Sequence, residues 1–121
     1  MSAPDGQERT IKSLRDFLSF CDMAAEVAQG GKAAYDANRI TRLAAEAVLH
    51  RLGESVARLP QDLIAANPQV SWRGIKATRN LIAHDYNQID YEIVWELLTI
   101  RVPNEAAHVH AILEALTAQG Q

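Results

Sequence analysis

Nine consecutive residues, Thr78-Arg79-Asn80-Leu81-Ile82-Ala83-His84-Asp85-Tyr86, set a permanent cation, an amide, an imidazole, a carboxylate and a phenol within eight positions. Together these groups suit cleavage of a phosphodiester beside a ribose hydroxyl. The 2′-OH needs a base before it can attack the adjacent phosphate, and the leaving 5′-oxygen needs an acid. An imidazole titrating near neutral pH serves in either role. The phosphorus centre gains negative charge in the transition state, and a guanidinium forks onto its oxygens. Arg79 and His84 are therefore the candidate catalytic pair, with Asn80 holding a phosphate oxygen or orienting the imidazole. This chemistry calls for no metal or other cofactor. The remaining histidines, His50, His108 and His110, have no cysteine partners and no carboxylate pairing that makes a convincing ligand set. A plainer reading stands beside this one: Arg79 in an ion pair with Asp85 or Glu54, and His84 as a surface or capping residue.

Spacing alone leaves the two readings open. On a continuous helix Asn80 and His84, four apart, share a face. Arg79 and His84 are then separated by roughly 140° of rotation. They would meet if the helix ended near His84, or if two copies faced each other across a symmetry axis. A second polar row, Glu46, His50 and Glu54, runs at steps of four along an otherwise apolar segment. It is either a solvated face or a wall from which Glu54 holds Arg79 or His84.

The elements that must carry these residues read as helices. Ile11, Leu14, Leu18, Cys21 and Ala25 recur at steps of three and four, predicting a helix from about Glu8 to Ala28. Gln29-Gly30-Gly31-Lys32 ends it. A longer helix is expected to begin between Ala33 and Asn38 and to run to Leu59, where Pro60 stops it. Pro60 to Val70 reads as a loop with one turn around Asp62 to Ala66. Ser71 then caps a helix through Trp72, Ile75 and Leu81, Asp90 caps a fourth, and Pro103 opens a fifth that ends before Gly120. No segment alternates with the period of two that a strand requires. The expectation is an all-α single domain over residues 1–121, a bundle of four to five helices, with residues 1–7 flexible.

Composition agrees. The chain has 121 residues, 48% hydrophobic and 22% charged, with one cysteine, Cys21, so neither an internal disulfide nor a cysteine zinc cluster is available. No apolar run is long enough to span a bilayer, and the polar start lacks the pattern of a signal peptide, which predicts a cytoplasmic protein without membrane contact. Net charge is −3 but unevenly spread. From Arg39 to Arg79 seven bases face three acids, whereas from Asp85 onward six acids face Arg101 alone. A basic middle between acidic flanks permits local phosphate binding without a basic whole.

The segment Arg79 to Tyr86 resembles the Arg-x4-His-x-Tyr signature of HepT-like proteins of the HEPN superfamily. Its surroundings resemble the family too: Leu52-Gly53-Glu54-Ser55 is similar to a Gly-Glu-Ala segment in the long helix, and Pro68 to Trp72 followed by Arg73-Gly74-Ile75 to a proline–tryptophan–helix stretch. Ile89-Asp90 with Ile93-Val94-Trp95-Glu96 resembles the aspartate-capped helix after the motif, and Leu14-Arg15-Asp16 fits the opening helix. The likeness runs from about Lys12 to Leu116. It departs at Asn87, where an aromatic is common, and at Ser55, which replaces alanine.

The resemblance implies a helical homodimer whose two Arg/His sets face one cleft, and a ribonuclease in which Arg79 and His84 are required and Asn80 belongs to the site. It further implies a toxin of a type VII-like toxin–antitoxin pair, partnered by a minimal (MNT-type) nucleotidyltransferase antitoxin. That partner would transfer AMP to Tyr86, placing phosphates that compete for Arg79 and repel RNA. Glu54 and Asp85 are the supporting candidates. The rival expectation is a non-catalytic subunit that docks a nucleotidyltransferase and holds a nucleotide or phosphate through Arg79.

Overall fold

The computed structural model describes residues 3–84 and 89–119, with side chains from 6 to 79 and from 89 to 119. Among them there is no strand, in keeping with the all-α expectation.

Helix α1 spans Ala3–Ala28 and buries Leu14, Phe17, Leu18, Cys21 and Ala24, the stripe that steps of three and four create. It starts five residues before the expected Glu8, and residues 3–7 are helical. Two causes lie outside the periodicity. Pro4 falls in the first turn, where its missing N–H is harmless. Gln7 Nε2 donates to the carbonyl of Leu116 at 3.1 Å, tying the start of the chain to its end. After α1 the chain turns at Gly31, whose φ of 89° lies in the left-handed region that glycine tolerates.

The expected long second helix is in fact two. The short α2, Lys32–Ala37, inserts Tyr35 into the core, and Asn38 then breaks to an extended conformation. Its side-chain oxygen accepts from the N–H groups of Ile40 and Thr41, at 2.9 and 3.3 Å, and so starts α3, Arg39–Ala57. Beyond Pro60 lies one short helix, α4, Gln61–Ala66, where a single turn was expected. Trp72 Nε1 donates to the carbonyl of Asn67 at 2.9 Å, seating the indole as α5, Trp72–His84, begins.

Asp90 caps α6, Tyr91–Glu96, as expected, accepting from Glu92 and Ile93 N–H. The expected break before Pro103 does not occur. Instead α6 runs through a π-helical segment, Leu97–Arg101, into α7, Val102–Gln119. The Val102 N–H reaches back five residues to Leu97, and this wider turn takes up a proline that an α-helical register would exclude.

Helix α1 packs on both α3 and α7, and α3 packs on α5. The core is formed by Leu14 and Phe17 of α1, Leu49, Leu52 and Val56 of α3, and Val94, Leu98 and Val109 further along, all at most 2% exposed. Among the described residues α3 is the one extensive partner of α5, and Arg73, Lys76 and Ala77 of α5 are exposed.

Candidate active site

Helix α5 runs unbroken to His84. Positions 79 and 84 therefore sit on one continuous helix, about 140° apart in rotation and about 7.5 Å apart along the axis. Positions 80 and 84 fall on one line. Asp85 and Tyr86 lie outside the described residues, as do the side chains of Asn80 and His84.

Arg79 is half-buried, and its root is held by backbone. Gly53 of α3 faces it: a Cβ at position 53 would come within 2.6 Å of Arg79 Cβ, 3.1 Å of its backbone nitrogen and 3.2 Å of the Ile75 carbonyl oxygen. The two helices thus touch where the candidate guanidinium begins. Next to it Thr78, itself buried, donates from Oγ1 to the carbonyl oxygens of Ile75 at 2.7 Å and Leu49 at 3.2 Å. Gly53 entered the sequence reading only as part of the family-like segment. Its signal was a glycine inside a helix, a choice that costs about 1 kcal/mol against alanine and calls for a packing reason.

The row Glu46, His50 and Glu54 divides its roles. The Tyr91 hydroxyl donates to Glu46, joining α6 to α3. That bond, more than burial, raises the Tyr91 phenol above its ordinary range. Glu54 lies 3.4 Å from His50 Nε2, both side chains more than a third exposed. Among the described side chains Glu54 and Arg79 are not within ion-pair distance, so of the partners considered for Glu54 only His84 remains open.

The junction of α2, α3 and α6 is closely tied. The Arg42 guanidinium lies 5.4 Å from the centre of the Tyr91 ring and donates to the carbonyls of Tyr35 and Asp36. The Tyr35 hydroxyl donates to the Tyr91 carbonyl at 2.8 Å, and its ring tilts against Trp95. Trp95, Trp72 and Tyr91 thus have packing roles. Lys32 bridges Asp36 and Glu92 at the rim.

On the core side of α5 a narrow cavity of about 30 Å³, bounded by Phe17, Leu49, Leu52, Ile75 and Leu97, has room for about one water. It is a packing gap. Among the described residues no group of three His, Cys, Asp or Glu side chains is placed to hold a metal ion, and no helix is long and apolar enough to cross a membrane.

A family model described as "Ribonuclease HepT-like" matches residues 8–112. The chain is 34% identical over 73 residues to a Methanocaldococcus jannaschii protein named "Putative RNase", covering 60% of each chain. It is 30% identical over 66 residues to a protein of the same name from Caldanaerobacter subterraneus, covering 54% of this chain and 59% of the relative. To the "Probable ribonuclease HepT" of Thermococcus cleftensis it is 25% identical over 64 residues, 53% of this chain and 58% of that one. The matched stretch thus spans about 60% of these relatives' lengths. No solved structure matches.

Proposed function

The chain belongs to the HepT-like family, and from that premise we propose that it is a metal-independent endoribonuclease, the toxin of a pair whose antitoxin is a minimal nucleotidyltransferase. The relatives' names supply the reaction class, and the Arg79–His84 segment supplies groups that perform it. His84 takes the proton of the 2′-OH or returns one to the leaving 5′-oxygen. Arg79 stabilises the charge gathered on the phosphate, and Asn80, one register line from His84, steadies a phosphate oxygen or the imidazole.

The observation that carries this reading is that α5 keeps its helical course up to His84, its last described residue, so positions 79 and 84 lie about 140° apart around it. A straight helix holds Arg79 and His84 on different sides of its axis, so a single chain presents each group without easily closing them on one phosphate. In a cytoplasmic homodimer with α5 near the two-fold axis, the arginine of one subunit meets the histidine of the other. AMP attached to Tyr86, two positions from His84, adds negative charge beside that site and silences it. Asp85 and Glu54 serve as supporting carboxylates.

The full-length protein should cleave single-stranded RNA in the presence of a chelator, and Arg79→Ala or His84→Ala should each lower the rate by at least about 100-fold, the usual contribution of general acid–base or electrostatic catalysis. Undiminished cleavage by His84→Ala would remove the imidazole from the mechanism. If RNA is never cleaved while a nucleotide is bound through Arg79, the non-catalytic subunit reading, which the acidic C-terminal third favours, takes its place.

A further inference from the structure

The outer face of α5 carries cations that neither the fold nor the cleavage chemistry uses. Between Asp62 and Asp85 the chain has no acidic residue, yet Arg73, Lys76 and Arg79 lie there. Arg73 and Lys76 are exposed, and among the described residues no carboxylate is within ion-pair distance of either. They fill no core position. Their register, however, is ordered. Positions 73, 76, 80 and 84 follow one another by three, four and four residues, which places them along one line of α5 about 16 Å long. Arg79 flanks that line. At its start the π segment adds another cation: Arg101 Nη2 lies 3.6 Å from where a Cβ on Gly74 would sit. The nearby Glu105 carboxylate accepts the Ser71 N–H at 2.8 Å and, among the described residues, lies within ion-pair distance of none of these cations.

We propose that Arg73 and Lys76, joined by Arg101, form a track for the phosphate backbone of single-stranded RNA that runs along α5 to the position of His84. The identity of the nucleic acid rests on the ribonuclease reading above. The geometry favours one strand: a row of cations one helix wide follows a single backbone, whereas duplex RNA is gripped across successive grooves.

The test is binding and cleavage of a labelled single-stranded RNA oligonucleotide by the full chain, comparing native Arg73 and Lys76 with Arg73→Ala/Lys76→Ala and with the charge-keeping Arg73→Lys/Lys76→Arg. Binding is measured in a His84→Ala background, so that it does not depend on turnover. The alanine pair should weaken binding about tenfold and lower the slope of log K against log salt by about 1.4, two lost single-strand phosphate contacts. It should raise KM with kcat unchanged, and the charge-keeping pair should restore both. If the native protein cleaves RNA while the alanine pair leaves affinity, salt slope and KM unchanged, the track is wrong and the nuclease reading stands. If the alanine pair loses affinity and slope but the native protein never cleaves, the track stands and the nuclease reading falls. Absence of RNA binding by the native protein would overturn the track outright.

Discussion

Arg79 owes its placement to a residue without a side chain. With Gly53 beneath it and Thr78 pinned between two carbonyls, the guanidinium starts from a fixed point. Elsewhere single residues report on burial. Cys21 and Tyr35 are each pushed up to about 12, from ordinary values of 9.0 and 10.0, chiefly because burial disfavours their charged forms. Lys32, held by Asp36 and Glu92, is also raised. All three shifts have one sign: the folded chain keeps protons that the unfolded chain gives up first. Their contribution to stability is complete below about pH 9 and is lost as pH climbs toward 12. Urea midpoints should therefore fall between pH 9 and pH 10.5, and a flat midpoint over that interval would contradict the burial of these two groups.

At the level of helices, the contact of α3 with α5 places Arg79, and at Gly53 it leaves no room for a side chain. Gly53→Ala should improve the intrinsic propensity of α3 yet destabilise the protein by about 1–3 kcal/mol, because the added methyl meets backbone and cannot be relieved by a side-chain rotation. The same variant should lose cleavage more than it loses folded population, since α5 must shift at Arg79. A gain in stability, measured by urea unfolding, would show that the approach is not tight. Elements were legible in the sequence where local rules decide: the stripe of Leu14, Leu18 and Cys21, the turn at Gly31, the Asp90 cap. They were not where distant partners decide. The early start of α1 depends on a bond from Gln7 to Leu116, and Pro103 fails to break its helix because a π turn absorbs it. Asn38 splits the second helix by a cap that the apolar pattern around it concealed.

For the whole molecule, the candidate site was legible only as a list of groups. Arg79, Asn80 and His84 could be named from their chemistry, but their separation around α5 depends on whether the helix continues, and the tightness at Gly53 exists only once α5 is packed against it. Among the described residues α5 packs chiefly on α3, and its Arg73 and Lys76 are exposed. On the proposed reading, a two-fold partner would complete the site on that face.

The most direct test of that claim is to mix two inactive proteins, Arg79→Ala and His84→Ala, let their subunits exchange, and measure RNA cleavage in chelator. If arginine from one subunit works with histidine from the other, half of the dimers are mixed and each has one intact site, restoring about a quarter of native activity. With subunit exchange verified by mass, no activity above that of either variant alone would show that Arg79 and His84 do not meet across the dimer.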